Sequence, residues 1–388
     1  MKKKVLYLHA SADLYGSDYV LLNLIRGLDK TKFDALVLLP YQGKLCQEFE
    51  KNDIAYLVCD LPVIRRSMFS PIGIFKFLIQ NIKFYIFLTK LIDKENIQII
   101  HTNTSAVWMG GFIAKIKNKK HIWQVMELVE DPKIISYVIR KIVGIFSTKV
   151  FTISLAVKNF FLQYNGSRRQ KFEVLYHGVD LKVYDPYNNR AAFIRSELNI
   201  DDETILVGMA GRINGWKGHD VFVRSIPIVM NNIPAGKKAK FLILGDTFQG
   251  QEHFEKDLRT LISSLSISSS LIFLGFQSDF QDWLAAMDIF VLPSSLPEPN
   301  ATVTLAAMAM RKPLIATNIG GTVETVIENE TGFLIPPNDP EALADKILYL
   351  IENQDKIEVL GHNGYVRAEK YFSMENYGNV ISNEYLKS

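Results

Sequence analysis

Cysteine is nearly absent from this 388-residue chain: Cys46 and Cys59 are the only two. They come with no CxxC pair and no His/Cys cluster, which excludes a disulfide framework and a zinc site of the usual spacing, and points to a reducing compartment. There is no low-complexity tract and little excess of either charge, with 44 Lys and Arg against 41 Asp and Glu. Nor does any uncharged apolar stretch approach the roughly 20 residues needed to span a bilayer. Lys2, Lys3 and Lys4 ahead of the apolar residues 5–8 have the outline of a secretory signal, but His9 and Asp13 end the run too early. The segment is expected to be a first buried strand and the protein to be cytoplasmic. What is present is the composition of an ordinary folded chain, 48% hydrophobic and 22% charged, too long for one core and suited to two domains.

The near-neutral total conceals an asymmetry. Residues 1–177 hold 26 Lys and Arg against 14 Asp and Glu, whereas the remainder holds 18 against 27. The two halves should therefore meet different partners.

Apolar runs of strand length alternate with amphipathic stretches. One series reads 5–9, 35–39, 55–58, 98–101, 121–125, 149–153 and 173–176; a second reads 204–210, 240–244, 271–274, 288–292, 313–316 and 332–335. Near-continuous apolar strands separated by helices imply parallel sheets covered on both faces. The fold class is α/β, with two Rossmann-like doubly wound parallel-sheet domains. The expected boundaries are 1–180 for the first domain, 181–370 for the second, and 371–388 for a C-terminal helix packing back on the first. Glycine, aspartate and proline cluster between His177 and Pro186, as a linker would require. Ligands of such sheets bind beyond the strand carboxyl ends, so facing domains would form a cleft.

Three loops carry candidate chemistry. Gly211, Arg212, Lys217 and Gly218 lie between an apolar run and a helical pattern. Glycines that let the backbone approach, a helix N-terminus and two cations make an anion site able to neutralise a diphosphate without metal. Taken alone, the same loop also fits two solvated cations. Glu298 stands between Pro297 and Pro299 after a strand, as a site carboxylate or as a helix-start carboxylate stabilised by the dipole. Gly320 and Gly321 precede Thr322, giving either a second phosphate-facing nest or a plain turn.

In order along the chain stand Gly16-Ser17, HGVD at 177–180, GR-x4-KG at 211–218, PSSLPEP at 293–299, AMA at 307–309, the KP-to-GG segment at 312–321 and TGFLIPP at 331–337. This series resembles glycosyltransferase family 4, retaining enzymes of GT-B architecture, over nearly the whole chain. The resemblance implies a UDP- or GDP-sugar donor as substrate, with neither cofactor nor metal. Arg212 and Lys217 match the diphosphate-binding pair, and Glu298 matches the first glutamate of an E-x7-E motif that contacts the transferred sugar. Gly16, Gly211, Gly320 and Gly321 would lie along the donor. Cations and N–H groups set in advance would stabilise the charge that grows on the leaving diphosphate.

Four positions in three segments depart from the pattern. Ala306 stands where the second glutamate, the usual ribose ligand, should be. In the segment 122–127, where related members often read WHVRE, Gln124 and Met126 replace a histidine and an arginine while Glu127 remains. Asn103 falls where many members carry a histidine, with His101 nearby. The acceptor-side candidates are accordingly His101, Asn103 and Glu127.

Between Arg65 and Lys94, aromatic and aliphatic residues are interleaved with Arg65, Arg66, Lys76, Lys83, Lys90 and Lys94. Such a helix can pack on its own sheet or lie in the interface of an anionic leaflet, and the basic first half favours the leaflet. No nucleic-acid recognition motif is apparent. The function expected is transfer of a sugar to a saccharide acceptor, lipid-linked, in surface polysaccharide or lipopolysaccharide synthesis, by a protein peripherally bound to the inner face of the membrane. The rivals are a catalytically silent GT-B scaffold and a nucleotide-sugar epimerase of GT-B architecture.

Overall fold

Residues that are apolar at nearly every position can form strands only where both faces are covered, and this chain builds two sheets of that kind. The computed structural model describes residues 2–65, 68, 70–187, 189–248 and 250–387. The first sheet contains β1 (Lys3–Leu8), β2 (Phe33–Leu39), β3 (Ala55–Val58), β4 (Ile99–Thr102), β5 (Lys120–Val125), β6 (Lys149–Thr152) and β7 (Phe172–Val174), in the order β3-β2-β1-β4-β5-β6-β7. The second contains β8 (Thr204–Ala210), β9 (Lys238–Leu244), β10 (Leu271–Leu274), β11 (Ile289–Leu292), β12 (Leu314–Thr317) and β13 (Gly332–Ile335), in the order β10-β9-β8-β11-β12-β13. All pairings are parallel, with Tyr7 opposite Val37 on one side and His101 on the other. Every residue of β4, β8 and β11 is buried.

The chain divides into two compact units, the first made of Met1–Gly178 with Met374–Ser388 and the second of Val179–Ser373. The helix Met374–Leu386 belongs to the first unit, where Tyr377 and Tyr385 are buried in the core with Tyr7, Phe33 and Trp123. The second core is built on Val207, Phe222, Phe241, Val291 and Ile347.

The helix Pro71–Lys94 starts at Ser70, whose hydroxyl accepts from the Gly73 N–H at 3.0 Å, and has proline in its first turn. Its C-terminal half buries Phe84, Leu88, Leu91 and Ile92 against the sheet, while none of residues 71–80 is buried. By length and composition alone it is apolar enough to cross a membrane, with mean hydropathy 1.3 over its best window. Lys76, Lys83, Lys90 and Lys94 interrupt it, so no uncharged stretch within the helix reaches the roughly 20 residues of a span. Arg66, one of the expected lipid contacts, lies outside the described residues.

Candidate active site

In a doubly wound sheet the ligand sits where strand order reverses, beyond the carboxyl ends. In the second unit that point lies between β8 and β11, whose loops are 211–218 and 293–301. The first loop is tied down locally. Gly211 N–H donates to Leu244 O at 3.0 Å and Ile213 N–H to Asp246 O at 2.9 Å, while the Asn214 side-chain oxygen accepts from Trp216 and Lys217 N–H at 3.1 and 3.0 Å. The two loops are stitched by Ser295 N–H donating to Trp216 O at 2.8 Å. Gly218, at φ +73°, begins the helix His219–Asn232; a Cβ there would lie 1.8 Å from Pro293 O, so only glycine fits.

The loops converge on one ion pair. Lys217 Nζ lies 2.6 Å from Glu298 Oε2, with the two side chains 16% and 7% exposed. Glu298 Oε1 accepts from Ser294 Oγ at 2.7 Å. The Gly320-Gly321 turn rests on the same residue: Gly321 N–H donates to Glu298 O at 2.7 Å, and Gly320 is at φ +62° where a Cβ would be 2.4 Å from that oxygen. The Arg212 guanidinium stacks over the Phe248 ring, 3.2 Å from its centroid, a contact that holds a planar cation by its face. Burial, and secondarily the charge of Lys217, lowers the His219 pKa to about 3. The imidazole behind the loop is therefore neutral, and the loop's positive charge is that of Arg212 and Lys217.

Ala306 is buried in the helix Thr302–Ala309, flanked by buried Leu305 and Ala307. Glu324 lies in the short helix Thr322–Thr325, where its carbonyl accepts from Arg367 Nη2 at 2.7 Å. The structure thus gathers Arg212, Lys217, Glu298, Gly320 and Gly321 into adjoining loops. The pattern had no means of showing Ser294, Asn214 and Phe248 as their supports.

The first unit has its reversal between β1 and β4, and there the structure reveals a group that the motif reading missed. His9 Nε2 lies 2.6 Å from Asp18 Oδ1, both side chains at most 1% exposed, and His9 Nδ1 lies 3.2 Å from Asn103 Nδ2. Asp18 Oδ2 accepts from Tyr15 N–H at 2.7 Å and Ser11 Oγ at 3.3 Å. These bonds fix the turn that leads into Gly16, first residue of the helix Gly16–Arg26. A sequence signal existed: Asp18 falls on the apolar stripe of Leu21, Leu22 and Ile25, where a carboxylate must find partners.

Asn103 and Glu127 stand beyond the ends of the neighbouring strands β4 and β5. Glu127 accepts from Thr104 Oγ1 at 2.6 Å and Ser105 N–H at 3.1 Å, directly after Asn103. His101 does not join them, and its expected place on the acceptor side is corrected. It lies two residues before Asn103 on the same side of the pleat, inside β4 rather than beyond its end, where its fully buried ring meets Tyr7 and Tyr385, with Nδ1 2.6 Å from the Tyr385 hydroxyl. Burial, then the neighbouring His121, lowers its pKa to about 3. It is a core histidine. Gln124 is likewise turned inward, donating to the Tyr377 hydroxyl.

Comparison with known proteins finds a family for each unit. The model of Glycosyltransferase Family 4 matches residues 15–183, and that of Glycosyl transferases group 1 matches residues 191–367. The capsular polysaccharide biosynthesis glycosyltransferase CapM of Staphylococcus aureus is 27% identical, over 86% of this chain and 84% of its own length. The lipopolysaccharide core biosynthesis mannosyltransferase LpsB of Rhizobium meliloti is also 27% identical, over 55% of this chain and 60% of its own. Among solved structures, Anabaena HepE in complex with UDP and glucose superposes with a TM-score of 0.84 at 23% identity, covering all of both chains, and shares the fold. With both its units matched in order, and with an ion pair at the switch point of the second, the chain belongs to the GT-B glycosyltransferases of family 4, group 1 type.

Proposed function

We propose that this protein moves a sugar from a UDP- or GDP-sugar to a lipid-linked saccharide, with retention at the anomeric carbon, in the synthesis of a surface polysaccharide or lipopolysaccharide. The observation that carries the reading is the Lys217–Glu298 pair seated among two glycine turns at the switch point. Its support comes from relatives whose names assign them to capsular polysaccharide and lipopolysaccharide core synthesis, and from a neighbour of the same fold in complex with UDP and glucose.

In this reaction the bond between the anomeric carbon and the diphosphate oxygen breaks, the acceptor oxygen bonds to that carbon, and the acceptor proton is released. Negative charge grows on the departing nucleoside diphosphate. Arg212 and Lys217 receive it, with the N–H groups of the glycine turns, so that the cations take the role a metal would otherwise fill. Glu298 faces the sugar and, through its ion pair, keeps Lys217 in position. Phe248 does the same for Arg212 by stacking. Ala306 provides no carboxylate for the ribose, so those hydroxyls are held by other groups.

The acceptor is reached at the inner face of the membrane, where Arg65, Lys76 and Lys83 contact anionic headgroups, each contributing about 1 kcal/mol that salt screens. The test is a thermal-shift screen of UDP- and GDP-sugars, followed by mass spectrometry of lipid extracts incubated with the stabilising donor. A new glycolipid with retained anomeric configuration is the expected product. Donor conversion to an isomer without an acceptor would indicate an epimerase; tight binding without turnover would indicate a scaffold.

A further inference from the structure

The apolar surface of the first unit does not stop at the helix Pro71–Lys94. Two helices away, Lys133–Phe146 leaves Ile134 79%, Tyr137 46% and Val138 45% exposed, beside Ile72 at 70%, Phe75 at 64% and Ile82 at 63% on the first helix. The helix Met109–Ile116 stands between them, with Phe112 6.4 Å from Tyr85 on one side and 5.8 Å from Phe146 on the other, ring centre to ring centre. All three are crossover helices of one parallel sheet and run antiparallel to its strands. Their N-terminal ends therefore stand at the strand carboxyl edge, level with the loops of Asn103 and Glu127.

Charge says what covers this surface. Residues 61–92 contain five Lys and Arg and no acid, and residues 127–172 contain eight against three, with Glu127, Glu130 and Asp131 all ahead of Lys133 and with Arg140 buried. A second copy of the chain would bring like charges together. Nucleic acid would leave the aliphatic Ile72, Ile82 and Ile134 without a stacking partner. An anionic leaflet satisfies both features, since headgroups meet the cations and acyl chains the apolar side chains.

We propose that Lys133–Phe146 is a second membrane anchor. Ile134, Tyr137 and Val138 enter the leaflet together with the unburied first turns of Pro71–Lys94. This rests on the membrane reading above and adds to it. Two contacts about 20 Å apart, two helix spacings, fix the tilt of the unit, and they turn the strand carboxyl edge carrying Asn103 and Glu127 toward the bilayer.

The experiment is sedimentation of the full chain with phosphatidylcholine vesicles, with and without phosphatidylglycerol, comparing wild type, Ile134→Glu/Val138→Glu and Lys76→Glu/Lys83→Glu. Both positions in the first variant are exposed, and its melting temperature should stay that of wild type. The expected result is at least about tenfold weaker binding to anionic vesicles for either variant. In addition, Ile134→Trp fluorescence should be quenched by brominated acyl chains beyond the wild-type background. If Ile134→Glu/Val138→Glu binds like wild type while Lys76→Glu/Lys83→Glu is lost, the second anchor is overturned and docking by the first helix stands. Wild type that ignores anionic vesicles overturns both. Bound Ile134→Trp without extra quenching, or a lipid-free dimer that the double glutamate variant dissociates, overturns the second anchor.

Discussion

The two units use one topology to opposite ends. Each reverses its strand order once, and each places a carboxylate with a basic partner at the reversal. In the second unit the pair is Lys217 with Glu298, drawn from loops 81 positions apart and accompanied by Arg212 on its Phe248 ring. In the first it is His9 with Asp18, sealed from solvent and occupied with turning the chain into the first helix. The surfaces differ in the same sense: 27 Lys and Arg against 16 Asp and Glu in the first unit, 17 against 25 in the second. A switch point supplies a place for chemistry; whether it becomes a reactive site or a structural one depends on how many of its polar atoms the fold itself uses.

The sharpest way to break this contrast is to remove one partner from each pair. Asp18→Ala leaves a buried His9 without its carboxylate and frees the Tyr15 and Ser11 donors, which should cost about 3–5 kcal/mol of unfolding free energy. Lys217→Ala should cost less, because that pair is 16% and 7% exposed rather than sealed and Glu298 keeps the Ser294 hydroxyl as a donor. Denaturant titration of both proteins checks the difference; equal losses would abolish it.

Activity should show the reverse. Arg212→Ala and Lys217→Ala are each expected to lose about 2–4 kcal/mol of transition-state stabilisation, roughly 30- to 1,000-fold in kcat/KM. Turnover near that of wild type in both would remove the second switch point from the chemistry.

Acid should separate the units next. Burial lowers the pKa of His101 and His121 to about 3 and of His177 to about 4 in the first unit, against His219, at about 3, in the second. Unfolded histidine takes up a proton near pH 6.5 that these folded rings refuse, so the unfolded state binds more protons between those limits. The stability they confer is complete above about pH 6.5 and declines as pH falls toward 3, by roughly 2 kcal/mol per ring at pH 5. Hydrogen exchange at pH 5 should therefore open β4 and β5 before β8. The opposite order would contradict the assignment.

The smallest effect concerns the ribose. Ala306→Glu restores the carboxylate of the E-x7-E pattern and should tighten the matching nucleoside diphosphate by about tenfold, 1.4 kcal/mol. Calorimetric titration reads it, alongside a melting curve because Ala306 is only 3% exposed. Unchanged affinity in a folded variant would show that the ribose is held elsewhere.

How much of this was legible in the sequence follows from where the determinants lie. The thirteen strands among the described residues were readable as short apolar runs, because most are buried on both faces and declare themselves by composition; the edge strand β3, with Leu57 40% and Val58 45% exposed, was legible from its apolar residues alone. The edges slipped where pairing decides them: β7 is Phe172–Val174, whereas the apolar pattern suggested 173–176. The loops of Arg212, Lys217, Glu298 and Gly320 were readable as ordered local motifs. Their contacts were not, since Lys217 finds Glu298 across 81 positions and His101 finds Tyr385 across 284. His101 shows the limit most clearly: a histidine at a strand end reads as chemistry until a partner from a distant helix occupies it.

That distant helix has a bearing on how the protein is made. Tyr377 and Tyr385 supply hydroxyls to Gln124, Tyr7 and His101, deep in a unit whose other residues were synthesised nearly two hundred positions earlier. A nascent first unit emerges from the ribosome with that flank of β1, β4 and β5 still wet. The second unit is one continuous stretch, complete as soon as Ser373 has appeared, and domains tend to fold as units while the chain grows. The order of synthesis and the order of completion are thus inverted: the half translated first is the half finished last, sealed by the arrival of the Met374–Leu386 helix.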